Sequence, residues 1–156
     1  MKMDKERVLF LGVDAGASKT DAWVADAEGQ VVGKGKAGGG NHQYGRETAG
    51  CNIETAAHQA LDSAGVSVTD IAYSFFGLAG ADRPKDYEVL NPMIESLGFK
   101  KWKIECDTMI ALRAGSRLSY GVVLICGTGV NCAGRSKSGK ELQIGGFGEK
   151  YGDFGG

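Results

Sequence analysis

The sequence has little proline, little histidine and no long apolar run. Its 156 residues include two prolines, two histidines and four cysteines, and the cysteines form no C-x-x-C pair. The longest uncharged apolar runs, such as residues 122–126, are far too short to cross a bilayer. Neither sign of charge predominates, because 18 Lys and Arg face 19 Asp and Glu. These absences argue against a membrane-spanning chain, a zinc module and the basic surface typical of nucleic-acid binding.

The remaining composition predicts a folded, soluble protein. Hydrophobic residues make up 42% and charged residues 24% of the chain, enough of each for a core and a polar surface. The charged start, residues 1–7, is followed by no apolar stretch of signal-peptide length. We therefore expect a cytoplasmic protein with free, mostly buried thiols and no nucleic-acid or membrane partner.

Glycine is abundant. It accounts for 26 of the 156 residues, about one in six, where about 7% is typical. With so little proline and no G-X-Y period, this composition is not that of collagen or a rigid linker. It indicates many tight turns and places where the backbone approaches another group closely.

Hydrophobic periodicity predicts the order βββαβαβα followed by a second βββ. The strands are expected at residues 7–14, 19–26, 30–36, 71–78, 102–106, 120–126, 131–136 and 141–145, and the helices at 44–64, 84–97 and 107–116. Within each strand triplet the connections are too short for crossovers, so each triplet is predicted to be an antiparallel meander. The two meanders form a weak internal repeat, which suggests two copies of one fold, the second stopping at Gly156.

Local signals predict how the helices begin and end. Gly65 is expected to follow the first helix as its C′ glycine. Asp82, shortly before Pro84, is a good helix opening. Pro92 is expected to kink the second helix or divide it into two. Asp107 is expected at the N-cap of the third helix.

Residues 12–20, GVDAGASKT, place an acid at the end of a buried strand and a turn of small residues after it. Small side chains let backbone N–H groups approach phosphate oxygens, Lys19 can neutralise their charge, and Asp14 can hold a hydrated Mg²⁺. The turn leads to a strand, so it is not a P-loop. An ordinary hairpin with a capping Asp is the alternative interpretation.

A second strand-turn-strand of the same design contains Gly127, Thr128 and Gly129. Two such turns at matched positions of a repeated meander could grip one polyphosphate between them. Asp107, at the end of a buried strand, is either a helix N-cap or a general base that reaches a hydroxyl nucleophile.

Seven segments of the sequence together carry a family resemblance. They are GVDAGASKT, GGGN, GLAGADR, CDTMIALRAG, LICGTGVNC, GGFG and YGDFGG. In this order and spacing the chain resembles the N-acetylglucosamine kinase / BadF-BadG-BcrA-BcrD ATPase family, part of the acetate and sugar kinase, heat-shock chaperone and actin superfamily.

The resemblance implies an α/β protein of two ribonuclease H-like domains with ATP and Mg²⁺ in the cleft between them. Residues 1–117 would form the first domain, with a mixed sheet, and residues 118–156 the opening strands of a second, truncated copy. The adenosine pocket of family members lies in a part beyond Gly156, so the 156-residue chain alone is expected to be inactive.

The resemblance also implies site residues. It makes Asp107 the catalytic aspartate and Asp14 the residue that organises Mg²⁺. The expected nucleotide contacts are Asp14, Gly16, Ser18, Lys19, Thr20, Gly127, Thr128 and Gly129. The expected sugar contacts are Asn41, Asp107, Thr128, Asn131 and Asp153. Two segments depart from the family pattern: GVDAGASKT stands for GVDGGGTKT, and Phe154 stands where an acid is common.

The resulting functional hypothesis is an ATP-dependent kinase for a sugar or amino sugar, with a homodimer as a further expectation. One alternative is an ATPase that activates CoA-ester dehydratases or reductases through a conformational change. Another is a non-catalytic regulator of the same fold. The presence of Asp107 favours an enzyme.

Overall fold

The computed structural model describes residues 7–127 and 129–145. The strands are β1 (Leu9–Ala15), β2 (Thr20–Asp26), β3 (Val31–Ala37), β4 (Ile71–Leu78), β5 (Trp102–Cys106), β6 (Gly121–Cys126), β7 (Val130–Arg135) and β8 (Glu141–Gly145), and the helices are α1 (Arg46–Ala64), α2 (Pro84–Glu95) and α3 (Asp107–Gly115). This order confirms the predicted sequence of elements. The chain divides into two compact units, residues 1–105 and 106–156. The domain division predicted at residue 117 stays a prediction.

The first unit is built on a five-stranded mixed sheet in the order β3-β2-β1-β4-β5. β1 pairs antiparallel with β2, and β2 pairs antiparallel with β3, so the first meander is confirmed. β1 pairs with β4 in parallel, which requires the crossover that α1 supplies. The result is the mixed α/β sheet that the family resemblance implied.

One face of this sheet is buried beneath α1. Residues of β1 alternate between buried and exposed along its whole length, and the buried set belongs to the main core with α1 and α2. A Cβ atom on Gly33 or Gly35 of β3 would collide with the backbone of α1, so glycine permits the close approach of strand and helix. α1 ends at Gly65, whose φ of 68° is left-handed, as predicted.

α2 is a single helix that continues through Pro92, so the expectation of two short helices is wrong. Pro84 occupies its first turn, as predicted, but Arg83 and not Asp82 is the N-cap residue. The Asp86 carboxylate accepts a hydrogen bond from the backbone N–H of Arg83 at 2.8 Å. This bond satisfies a donor that a helix start would otherwise leave unpaired.

The second unit contains α3 and an antiparallel sheet in the order β6-β7-β8. Cys106, Met109, Leu112 and Ala133 form a small core, with Val123 partly buried against it. The opposite face of the sheet exposes large aliphatic side chains: Val122, Leu124, Leu142 and Ile144. A three-stranded meander that stops without further helices is expected to leave Val122, Leu124, Ile125 and Ile144 exposed. This is confirmed for the other three, but Ile125 is half-buried.

The four cysteines are free thiols, as predicted, but their expected burial is wrong for most of them. Only Cys106 is buried, Cys132 is half-buried, and Cys51 and Cys126 are exposed. Over residues 7–127 and 129–145, the structure has no helix that is both long and apolar enough to cross a membrane.

Candidate functional site

The first glycine-rich turn joins β1 to β2 as a tight hairpin. The backbone N–H of Gly16 donates to the carbonyl of Lys19 at 2.9 Å, which closes the turn. A Cβ on Gly16 would lie 3.6 Å from the same carbonyl oxygen, an ordinary contact, and the φ of Gly16 is not left-handed. Glycine at this position is therefore not required by the fold.

A glycine segment, Gly38–Gly40, crosses behind this turn. The N–H of Gly40 donates to the carbonyl of Gly16 at 2.9 Å. A Cβ on Gly39 would collide with the carbonyl oxygen of Ala17. Here glycine is required by a close backbone approach, and the crossing segment fixes the turn from one side.

Two side chains hold the crossing segment in place. The hydroxyl of Thr20, which is fully buried, donates to the carbonyl of Gly38 at 2.9 Å. The side-chain amide of Asn52 on α1 donates to the carbonyl of Gly39 at 2.7 Å. Thr20 thus supports the turn from behind, and its contact with a phosphate stays a prediction. Sequence reasoning missed Asn52, because one asparagine within an amphipathic helix gives no signal.

Asp14 lies on the exposed face of β1, one residue before the strand ends. Its cross-strand neighbours are Asp21 on β2 and Gly77 on β4. Two acids directly opposite each other repel, which favours a cation beside them. The ammonium group of Lys19 lies 2.6 Å from the Asp21 carboxylate. Its hydrogen bond to that carboxylate, together with the charge, raises the pKa of Lys19 above its usual range.

The surroundings of Asp14 fit a hydrated Mg²⁺. Mg²⁺ is usually bound by one or two carboxylates together with substrate phosphates and water. Within the described residues no group of three or more His, Cys, Asp and Glu is placed to hold a metal by itself. An exposed carboxylate beside a glycine is the arrangement expected when phosphate supplies other ligands. Asp21 was missed as a neighbour, although the hairpin register places it opposite Asp14.

Asn41 follows the crossing segment directly. Its side-chain oxygen accepts the backbone N–H of Gln43 at 2.9 Å, which closes a local turn. The next residue, His42, has its Nε2 atom 3.3 Å from the Asp86 carboxylate at the start of α2. The structure therefore connects the predicted sugar contact Asn41 to α2, a connection that the sequence did not predict.

In the second unit, Asp107 is the first residue of α3 and is half-buried. The predicted N-cap position is wrong by one residue, because Cys106 is the N-cap. The Asp107 carboxylate accepts the backbone N–H of Thr108 at 2.8 Å and the Cys106 thiol at 3.3 Å. These contacts fix the orientation of the carboxylate at the helix N-terminus.

The second glycine turn joins β6 to β7, and the N–H of Gly127 donates to the carbonyl of Gly129 at 2.9 Å. A Cβ on Gly127 would have no atom within 4 Å, so this position is also open. Asn131 lies on the face of β7 that packs against α3, two residues before Ala133. Thr128 and Asp153, the remaining predicted contacts, lie outside the described residues.

The predicted site residues thus form two sets, one in each unit. The first unit brings together Asp14, Gly16, Ser18, Lys19, Thr20 and Asn41 around one hairpin. The second unit holds Asp107, Gly127, Gly129 and Asn131 around α3 and the β6–β7 turn.

The sheet order of the first unit and its glycine-rich hairpin define the class as ribonuclease H-like. A solved structure of a candidate N-acetylglucosamine kinase from Chromobacterium violaceum superposes with a TM-score of 0.75 at 18% identity, over 96% of this chain and 52% of that one. The BadF/BadG/BcrA/BcrD ATPase family matches residues 11–156, and the chain belongs to that family.

The curated relatives that match this chain in sequence are named as sugar kinases. The chain is 32% identical over 147 residues to the N-acetylmuramic acid/N-acetylglucosamine kinase of Clostridium acetobutylicum, covering 93% of this chain and 48% of that protein. It is 30% identical over 164 residues to the N-acetyl-D-glucosamine kinase of Dictyostelium discoideum, covering 98% of this chain and 51% of that protein. The chain therefore spans about half the length of the curated relatives it matches.

Proposed function

We propose that the full-length protein is an ATP-dependent kinase that transfers the γ-phosphoryl group to a hydroxyl of an amino sugar. The hairpin at Gly16 carries this proposal, because its glycine is not needed by the fold while Asp14 and Lys19 flank it. The two relatives compared above are named as kinases of N-acetylated amino sugars and a third, from Vibrio cholerae, as a glucosamine kinase, which supports an amino sugar as the substrate class.

Each of the two glycine turns would contact phosphate groups of ATP. The N–H groups of Gly16 and Gly127 close their turns, so these two glycines would admit the phosphates by their small size. Backbone N–H groups at Ser18 and Gly129, together with Thr128 and the ammonium group of Lys19, would face phosphate oxygens. Thr20 would hold the first turn in shape. Asp14 would hold Mg²⁺, which, when bound, neutralises charge on the phosphates.

The expected sugar contacts are Asn41 in the first unit and Asp107 and Asn131 in the second, with Thr128 and Asp153 as further expected contacts. Among the described residues, the buried side-chain oxygen of Asn131 has no hydrogen-bond partner, so a sugar hydroxyl could satisfy it. Asp107 would accept the proton of the attacking hydroxyl. The sugar oxygen then bonds to the γ-phosphorus as the bond to the β-phosphate oxygen breaks and ADP leaves.

The relatives favour a kinase over an activator of CoA-ester enzymes. An activator would hydrolyse ATP without forming a sugar phosphate, and a regulator would do neither. Incubation of the full-length protein with ATP, Mg²⁺ and N-acetylglucosamine therefore separates the three functions by their products. A cytoplasmic location, the absence of nucleic-acid and membrane partners, and a homodimer belong to the same proposal.

The replacement Asp107→Asn tests the general base. We expect kcat of the full-length protein to fall about 10²–10⁴-fold while the KM for the sugar changes little, because the amide keeps the shape but cannot take the proton. Asp62→Asn, the same change at an exposed position of α1, is the matched control. Turnover of Asp107→Asn at the wild-type rate would remove Asp107 from the mechanism.

A further inference from the structure

A buried histidine lies directly beside the predicted sugar contact. The side chains of His42 and Asp86 are 8% and 6% exposed, and His42 Nε2 is 3.3 Å from an Asp86 oxygen. A carboxylate oxygen can only accept, so Nε2 carries the proton that points to it. The pair joins the loop after β3 to the first turn of α2.

The Asp86 carboxylate that His42 contacts is itself held in place by Arg83. The Arg83 side chain lies 3.2 Å from one carboxylate oxygen and 3.3 Å from the other. Burial raises the pKa of Asp86, but the hydrogen bonds and charge of Arg83, with a smaller contribution from His42, outweigh it and hold the pKa below its ordinary range. The acceptor facing His42 is therefore a carboxylate at neutral pH.

The loop itself is short and held at several points. Asn41 uses its side-chain oxygen for the backbone N–H of Gln43, which leaves its NH₂ group as the donor that can face a ligand. The carbonyl of Asn41 accepts the N–H of Tyr44 at 3.2 Å. A displacement of His42 would therefore displace the Asn41 amide.

A second observation points to a ligand at this place. His42 Nδ1 is one of three buried side-chain polar atoms that lack a hydrogen-bond partner in the described part of the chain. Buried polar atoms in native structures are nearly always hydrogen-bonded, so an unpaired one calls for an explanation.

We propose that His42 is a positioning residue of the sugar site: its hydrogen bond to Asp86 holds the Asn41 amide where it binds the acceptor sugar. This inference rests on the proposed kinase function. It predicts that the link between the loop and α2 acts on sugar affinity and leaves nucleotide affinity unchanged.

Three variants of the full-length protein test the proposal with N-acetylglucosamine as the probe. His42→Leu removes the donor and should raise the KM for the sugar about tenfold, equivalent to about 1.4 kcal/mol. The KM for ATP should stay within about twofold of wild type. His42→Gln places an amide donor near the position of Nε2 and should restore the sugar KM to within about threefold of wild type. His58→Leu, at the exposed histidine of α1, is the control.

The outcomes separate this proposal from the proposed function. An unchanged sugar KM in His42→Leu overturns the positioning role, as does an equal rise in His42→Gln. A parallel rise in the KM for ATP, with a lower urea midpoint, would indicate a general structural role and also overturns it. If the wild-type protein phosphorylates no amino sugar, the proposed function fails and this inference fails with it.

Discussion

Two glycines at the first hairpin, Gly16 and Gly39, differ in the room that the fold leaves around them. Gly39 passes so close to the Ala17 carbonyl that any side chain would collide with it, whereas Gly16 has ordinary room for a Cβ atom. The requirement at Gly39 is therefore explained by packing. At Gly16 the space in front of the turn is available to a ligand.

The replacement Gly16→Val should abolish nucleotide-dependent activity while the protein still folds. The added side chain would occupy the space that a phosphate oxygen needs, and the backbone conformation of Gly16 is open to any residue. Calorimetry on the full-length variant measures the expected loss of ATP affinity. Its melting temperature shows whether the protein still folds. Gly115→Val, at an exposed glycine with open space around it, is the control. Intact ATP affinity in Gly16→Val would contradict the phosphate-binding role of this turn and favour the alternative interpretation, an ordinary hairpin.

At the scale of elements, the close contact of α1 with β3 depends on small residues on both sides. Ala56 and Ala60 of α1 are fully buried, and their backbone meets the glycines of β3. This contact fixes the helix over the meander, and Asn52 of the same helix then reaches the crossing segment at Gly39. The packing of one helix thereby supports the shape of the phosphate turn.

The replacement Gly35→Ala should therefore destabilise the protein by about 1–3 kcal/mol or more, because α1 must move to admit one methyl group. Gly12→Ala on β1 is the matched control, since its Cβ would meet nothing within 4 Å. Urea unfolding measures both variants. Equal stability of the two would contradict the close-approach argument.

The start of α2 should make stability depend on pH. Because the pKa of Asp86 is lower in the folded protein than in the unfolded chain, the folded state binds fewer protons. The stabilisation is complete above the ordinary carboxyl pKa of about 4 and is lost as the pH falls through the folded value. We expect Asp86→Asn to be less stable at pH 7 and to lose less stability on acidification.

Urea unfolding between about pH 6 and pH 3 tests this expectation. Asp26, whose pKa is lowered by its hydrogen bond to Arg7 and by backbone N–H groups, retains part of the pH dependence in the variant. Asp62→Asn should follow the wild-type curve. The same slope in Asp86→Asn and wild type would show that Asp86 contributes nothing to acid sensitivity.

At the scale of the whole molecule, the second unit differs from the first in how its sheet is covered. α3 covers one face of β6 and β7, and the other face exposes Val122 at 76%, Leu124 at 68%, Leu142 at 67% and Ile144 at 63%. The register aligns these residues with Gly134 and Cys132 on β7, so the exposed face carries no charge. Contiguous apolar surface of this kind favours association.

The double replacement Leu124→Thr with Leu142→Thr should raise the solubility of the 156-residue polypeptide and reduce its binding of a hydrophobic dye. Threonine is branched at Cβ, a shape that strands favour, and it lowers the exposed apolar area. Val123→Thr, which faces α3, is the contrasting variant and should lower stability instead. Unchanged dye binding by the double variant would mean that this face is not the surface that associates.

Much of the fold was predictable because local chemistry determines it. The alternation of buried and exposed residues along β1 and the left-handed glycine after α1 can each be read from neighbouring residues. Errors occurred where neighbours do not decide. Asp107 lies one residue inside α3, because helix ends depend on the surrounding contacts. Of the two outcomes expected at Pro92, the division into two helices does not occur, and the kink stays a prediction.

The sequence by itself determined the order of the elements, the two glycine turns, and the residue types that can bind phosphate and sugar. Tertiary structure alone decided which distant residues meet: Asp14 with Asp21 and Gly77, Thr20 with Gly38, and His42 with Asp86. The physical reason is the separation along the chain over which each kind of interaction acts. Periodicity, turn formation and capping act over a few neighbouring residues, whereas strand register and the hydrogen bonds between a loop and a helix depend on how the whole core packs.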